Sequence, residues 1–111
     1  MRLFDAFVEL AVEENTRTLE RYKGYVKTLG MPPIYVETRE RIIEHIKTLT
    51  EDSFYSGKSY LNQEVIGSPT AREDGLYFET ETGTYRVFTK QPLGLTPFDR
   101  PPARLICKKI K

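Results

Sequence analysis

The sequence has very few residues that bind transition metals or form crosslinks. Its 111 residues include one cysteine, Cys107, and one histidine, His45. A single cysteine excludes a disulfide within the chain, and the two residues together are too few for the usual zinc or copper ligand sets. We therefore predict a protein that uses no metal and no cofactor.

Long apolar runs are absent as well. Asp5, Glu9 and Glu13 interrupt the apolar N-terminal segment, and no apolar run reaches the roughly 18 residues of a membrane span. This pattern predicts neither a transmembrane helix nor a signal peptide, so we expect a cytoplasmic protein.

Asn, Gln and Met are scarce, with two of each, while Glu, Lys and Arg are plentiful. Proteins of thermophiles show the same bias in composition.

Charge is balanced over the whole chain but not between its halves. Seventeen Lys and Arg against 16 Asp and Glu give a net charge of +1, which does not mark a strongly basic nucleic-acid binder. Residues 1–55 carry 8 basic and 10 acidic side chains, whereas residues 56–111 carry 9 and 6. The balance thus changes from −2 to +3. The basic end of the chain fits phosphate contacts and a solubilising terminus equally well.

The N-terminal half predicts two helices. Apolar residues follow alternating steps of three and four up to Leu29, which predicts a helix over Leu3–Leu29 that ends at Gly30 and the prolines behind it. Ile34–Val36 has the composition of a short strand. Thr38 then stands at the N-cap of a second predicted helix, Arg39–Leu49.

The C-terminal half predicts an antiparallel sheet. Two runs rich in β-branched and aromatic residues lie between Leu76 and Lys90 and predict a hairpin. With Thr82-Gly83 as its turn, Glu79 lies opposite Arg86. We predict a last strand over residues 104–110 and a loop from Gly67 to Gly75, and residues 60–66 fit a short helix and a strand equally well. The predicted fold is a single α+β domain over residues 1–111, with both helices packed on the sheet.

Tests for catalytic motifs give no positive result. Gly57-Lys58-Ser59 matches the end of a phosphate-binding P-loop, but Asp52 stands where that motif needs its first glycine. His45 lies at the edge of an apolar helical stripe, and Cys107 alternates with buried positions of a strand, so we interpret both as structural residues. The sequence therefore favours a protein without catalysis, while a site assembled from distant residues stays open.

The predicted hairpin carries aromatic residues on both faces. One face packs on the helices, and the other places rings beside cations, a combination by which sheets hold single-stranded nucleic acid. A sheet covered on both faces explains the same pattern, and Glu79 and Glu81 oppose nucleic acid. Strand alternation assigns to the first face Leu76, Phe78, Tyr85 and Val87, and to the second face Tyr77, Arg86, Phe88 and Lys90.

The order of predicted elements is also that of a winged-helix DNA-binding domain, in which the possible third helix would be the recognition helix and would carry Lys58, Asn62 and Gln63. Our leading hypothesis is a small, non-catalytic nucleic-acid-binding or regulatory protein that uses its basic C-terminal half to contact DNA or RNA. The candidate contact residues are Lys58, Asn62, Gln63, Tyr77, Arg86, Phe88, Lys90, Arg104, Lys108 and Lys109.

The alternative hypothesis is an interaction or assembly protein that forms a homo-oligomer through its N-terminal helix. A helix over Leu3–Leu29 is about 40 Å long, more than a short second helix and a small sheet readily cover. Asn15 lies within the apolar seam and is the type of polar residue that fixes register between paired helices. The same seam also fits an intramolecular pairing with Ile42 and Ile46.

Overall fold

A computed structural model describes residues 1–89 and 105–111, and these residues form two α-helices and a five-stranded mixed sheet. The α+β class predicted from the sequence is thereby confirmed. Two single-turn 3-10 helices, Glu51–Ser53 and Lys58–Tyr60, flank the first strand. The other elements are α1 Leu3–Leu29, α2 Ile34–Lys47, β1 Phe54–Ser56, β2 Val65–Arg72, β3 Gly75–Thr80, β4 Gly83–Thr89 and β5 Leu105–Lys109.

The strands lie in the order β1-β5-β4-β3-β2. All neighbours pair antiparallel except β1 and β5, which are parallel. The expectation of a purely antiparallel sheet was therefore wrong at one edge. The cause is β1, a three-residue strand that no sequence pattern predicted, and its Phe54 is 2% exposed in the core.

The second strand occupies the segment that the sequence predicted as a loop. β2 contains Gly67, Ser68 and Pro69 and lies at the edge of the sheet. Proline is tolerated in an edge strand because the backbone N–H that it lacks would face solvent there. The pairing with β3 shifts between Ile66 and Thr70, so a bulge takes up the extra residues. Glycine and proline thus mark an irregular edge strand here rather than a loop.

The hairpin forms where it was predicted, but its register differs by two residues. Thr80 pairs with Gly83 and Phe78 with Tyr85, so Glu81 and Thr82 make the turn. Gly83 has φ 146°, and a Cβ there would lie 2.1 Å from the carbonyl oxygen of Lys111. The glycine therefore accommodates the C-terminal residues instead of forming the turn. Because the shift is even, every side chain keeps its predicted face.

The first helix has the predicted bounds, whereas the second begins five residues early. α1 is continuous from Leu3 to Leu29. α2 begins at Ile34, so the predicted strand at Ile34–Val36 is wrong. The amides of Val36 and Glu37 both donate to the carbonyl of Pro33, at 3.0 and 3.2 Å, which starts the helix there. No helix in the described ranges has the length and apolar character that a bilayer span requires.

The hydrophobic core lies between the helices and one face of the sheet, which we call the inner face. Phe7 of α1 packs edge-to-face against Phe54 of β1, with ring centroids 5.6 Å apart. The predicted alternation of the hairpin is confirmed. The fully packed residues are Leu3, Ala6, Phe7 and Ala11 of α1, Ile42 and Ile46 of α2, and Phe54, Leu61, Leu76, Phe78, Tyr85, Val87, Leu105 and Cys107.

Asn15 fixes the register between the two helices of this chain. Its side chain is 3% exposed, donates to the carbonyl of Ala11 at 2.7 Å and accepts from Arg39 Nη1 at 2.6 Å. The Arg39 guanidinium also lies 5.5 Å from the ring centre of Tyr22. The polar position in the apolar seam therefore serves an intramolecular helix pair.

We expect Asn15→Ala to lower the free energy of unfolding by about 1.5 to 3 kcal/mol, because the buried charged donor Arg39 loses an acceptor. Urea denaturation measures the change. Thr16→Ala is the matched control, since the Thr16 hydroxyl is exposed and bonds only within α1, to the carbonyl of Val12, and it should shift stability by less than about 0.5 kcal/mol. Equal urea midpoints for the two variants would contradict this role of Asn15.

Candidate nucleic-acid interface

The outer face of the sheet is the surface opposite the core. Strand pairing aligns Thr70, Tyr77, Arg86 and Lys108 in one row across β2, β3, β4 and β5. A neighbouring row contains Arg72, Gly75, Phe88 and Ile106, in which Arg72 pairs with Gly75 and Phe88 with Ile106. Tyr77, Arg86, Phe88 and Ile106 are partly exposed, and Thr70, Arg72 and Lys108 are exposed. Polar, aromatic and cationic groups thus share one accessible surface.

Arginine side chains lie against the two aromatic rings of the outer face. The Arg72 guanidinium carbon is 4.7 Å from the ring centre of Tyr77. The Arg86 guanidinium carbon is 4.2 Å from the ring centre of Phe88. Both distances are within the range of favourable cation–π contact. The contacts place two positive charges next to the two rings.

Gly75 makes room for the arginine–aromatic pair on β4. A Cβ at this position would lie 2.6 Å from the carbonyl oxygen of Val87, 3.1 Å from Arg86 Cγ and 3.2 Å from Phe88 Cβ. Its φ of 143° is also one that side-chain-bearing residues rarely adopt. The absence of a side chain at Gly75 therefore lets Arg86 and Phe88 approach the backbone of β3.

Asp74, in the turn between β2 and β3, binds two groups of the outer face. The Tyr77 hydroxyl donates to Asp74 Oδ2 at 2.7 Å, and Arg86 Nη1 donates to the same oxygen at 3.0 Å. These contacts hold the pKa of the Asp74 carboxyl below its usual value, the Tyr77 hydrogen bond most of all. The carboxylate is therefore ionised at neutral pH and fixes both donors. Among the described residues, the buried Nε of Arg86 has no acceptor.

Four of the ten predicted contact residues meet on the outer face, namely Tyr77, Arg86, Phe88 and Lys108. Lys109 pairs with Tyr85, an inner-face residue, so its exposed side chain leaves the strand on the opposite side from Lys108. Lys90 and Arg104 lie outside the described residues.

Lys58, Asn62 and Gln63 are not on a helix that can enter a groove. The predicted third helix is a single 3-10 turn, Lys58–Tyr60, and the described part of the chain contains no other α-helix besides α1 and α2. The winged-helix order is therefore not confirmed. Lys58 Nζ lies 3.5 Å from Asp52, and Asn62 accepts a hydrogen bond from Arg2 at 2.8 Å.

Gln63 is part of a hydrogen-bond network at the end of the hairpin. Its Nε2 donates to the Tyr85 hydroxyl at 3.0 Å, and its Oε1 accepts from the hydroxyls of Thr80, at 2.7 Å, and Thr82. The Tyr85 pKa lies below its usual value, chiefly because of the hydrogen bond with Thr82. Both the nitrogen and the oxygen of the Gln63 amide are thus engaged within the protein. Contact with a base edge would require the same two atoms.

Sequence reasoning missed two residues of this surface, Arg72 and Asp74. Both fell within the predicted loop from Gly67 to Gly75, because glycine and proline hid the edge strand. A signal was present, since Thr70 and Arg72 are polar neighbours in a period of two. Such a short alternation becomes informative only when the segment is known to pair with β3.

A cleft lies between α1 and the edge strand β2. This cleft has a volume of about 350 Å³ and contains two carboxylates, Glu9 and Glu13, and the amino terminus, which pairs with Glu64 at 2.7 Å. It lacks the exposed rings and unpaired cations that nucleic acid requires. Within residues 1–89 and 105–111, no group of three His, Cys, Asp or Glu side chains is placed to hold a metal ion.

Comparison with protein families, with curated proteins and with solved structures found no match for this chain. The fold class by itself does not indicate a function, because the same architecture supports many. The function of this chain must therefore be inferred from the chemistry of its outer face.

Cys107 should be unreactive in the folded protein. Its side chain is 2% exposed, and burial raises the pKa of its thiol to about 12. At pH 8 only about one thiol in ten thousand would then be the nucleophilic thiolate. We expect a thiol-specific disulfide reagent to react at least about 100-fold more slowly with the native protein than with the urea-unfolded protein. Equal rates in the two states would contradict this description of Cys107.

Proposed function

We propose that this protein binds single-stranded DNA or RNA without catalysis, on the outer face of its sheet. The observation that carries the proposal is the juxtaposition of Tyr77 and Phe88 with Arg72, Arg86 and Lys108. Bases stack on aromatic rings and on guanidinium planes, and cations beside them contact the phosphates. The outer face offers all three kinds of group.

The shape of this surface favours a single strand over a duplex. Sequence readout of duplex DNA needs an element that enters the major groove, and the candidate residues lie instead on the face of a five-stranded sheet. Unpaired bases, in contrast, can lie directly on a sheet. Tyr77 and Phe88 are diagonal neighbours on adjacent strands, about 7 Å apart. A guanidinium lies against each ring, and bases stack on guanidinium planes as well as on aromatic rings.

The charge of the outer face makes stacking the dominant contribution. Arg72, Arg86 and Lys108 are opposed by Asp74 and Glu79, and the Glu79 carboxylate accepts from the Thr84 hydroxyl at 2.8 Å. The resulting excess of positive charge is small. We therefore expect binding that is weak at physiological salt and becomes measurable at low salt.

Phe88→Ala should weaken binding to a labelled oligothymidine or oligouridine by about 5- to 100-fold, because one stacking surface is removed. Fluorescence anisotropy at low salt measures the affinities. Tyr35→Ala is the matched control, since Tyr35 is an aromatic residue of α2 that is 51% exposed and lies outside the sheet, and it should leave affinity unchanged. Absence of salt-sensitive binding by the wild-type protein would remove the proposal, and equal affinities for the two variants would place binding elsewhere.

A second candidate function, assembly into a homo-oligomer, is supported by the far end of the helix pair. The buried residues of α1 end at Leu19, ten residues before the helix ends at Leu29. Leu29, Ile34 and Tyr35 are 74%, 50% and 51% exposed. A second copy that contacts these residues would bury apolar surface now in contact with water.

If the protein is a dimer through this end, Leu29→Glu should dissociate it, because a charge would enter the apolar contact. Light scattering at micromolar concentration measures the mass. Thr28→Glu, an exposed neighbour on α1, introduces a similar charge and should leave the dimer intact. A wild-type mass of 12.9 kDa, that of one chain, would rule this candidate out.

A further inference from the structure

We propose that the Asp74 carboxylate occupies the binding position of a nucleic-acid phosphate, which we call the phosphate seat, and that a bound phosphodiester replaces the carboxylate between Tyr77 and Arg86. This inference rests on the proposed function and assigns one subsite within it. The ligand group is a phosphate carried by a strand whose bases stack on the neighbouring rings. Asp74 then acts as an internal competitor of the strand.

The geometry around Asp74 is that of a small anion site. A phenol O–H and a guanidinium N–H converge on one oxygen, Oδ2, at 2.7 and 3.0 Å. Convergent donors of this kind recognise phosphate oxygens as well as carboxylate oxygens, and an arginine fork suits a phosphate in particular. Both donor residues also belong to the surface on which bases would stack.

Arg86 has packing contacts besides its bond to Asp74, whereas Asp74 itself is easily displaced. Arg86 lies against Phe88 and crosses Gly75, and its side chain is 24% exposed. Asp74 is a turn residue with a side chain that is 55% exposed. Its carboxylate can rotate into water without exposing the core, and an exposed ion pair contributes little to stability.

Exchange favours a nucleic-acid strand over a simple anion. A phosphodiester and a carboxylate carry the same charge, so the exchange alone gains little. A strand adds stacking on Tyr77 and Phe88 and releases counterions from its backbone. Free phosphate offers the same donors a partner but brings no bases. The carboxylate thereby selects for ligands that combine phosphate with an aromatic base.

The test compares Asp74→Asn with Glu73→Gln. Glu73 is the adjacent residue of the same turn, and among the described residues it has no hydrogen bond or ion pair with Arg86, which binds Asp74 instead. Both variants remove one negative charge from the same turn, and asparagine suits a turn position. We expect Asp74→Asn to bind a labelled oligothymidine about fivefold more tightly than Glu73→Gln does, the upper range for release of an exposed ion pair. Circular dichroism melts confirm that both variants fold.

The outcomes separate this inference from the function on which it rests. Wild-type binding with equal affinities for the two variants overturns the phosphate seat and leaves the proposed function standing. Absence of binding by the wild-type protein and by both variants overturns the two together. Wild-type binding that Asp74→Asn tightens more than Glu73→Gln does supports the seat and the proposed function together.

A second measurement tests the part played by Arg86. In an Arg86→Gln background, Asp74→Asn should raise affinity by a smaller factor than in the wild-type background, because one of the two donors that Asp74 occupies is gone while the Tyr77 hydroxyl remains. A gain that is undiminished without Arg86 would overturn the seat. Inorganic phosphate at matched ionic strength should fail to displace the oligonucleotide from Asp74→Asn. Complete displacement at low millimolar phosphate would overturn the assignment to a nucleic-acid strand and make this a site for free phosphate.

Discussion

Packing of α1 against the inner face of the hairpin is the constraint on which the remaining structure depends. Phe78, Tyr85 and Val87 are buried beneath the helices, and because side chains alternate along a strand, their neighbours must point away from the core. Tyr77, Arg86 and Phe88 therefore form the outer face. The surface proposed to bind nucleic acid is thus the consequence of how the core is closed.

The turn between β2 and β3 connects this packing to the chemistry of the outer face. Gly75 lets the side chains of β4 approach closely, and the preceding residue, Asp74, accepts from Tyr77 and Arg86. Two adjacent turn residues therefore act on the same part of the outer face. Gly75 provides space for its side chains, and Asp74 provides its negative charge. The arrangement keeps a guanidinium oriented above a ring, a conformation that a solvated arginine would otherwise lose to its rotamer freedom.

Hydrogen bonds of two amide side chains, the buried Asn15 and the half-buried Gln63, specify how the elements fit together. Asn15 joins α1 to Arg39 of α2, and Gln63 joins the segment after the 3-10 turn to Thr80 and Tyr85 of the hairpin. A buried amide must satisfy its donors and acceptors, so each network constrains one arrangement. The same requirement withdraws Gln63 from contacts with a ligand.

The sequence by itself determined the features that follow from local periodicity, whereas the tertiary structure decided those that depend on distant contacts. The bounds of α1, the two faces of the hairpin and the outward position of Tyr77, Arg86 and Phe88 follow from periods of 3.6 and 2. The hairpin register does not, because Gly83 faces the carbonyl of Lys111. Strands β1 and β2 and the contacts of Arg72 and Asp74 also exist only through pairing across the sheet, and no local pattern carries that information.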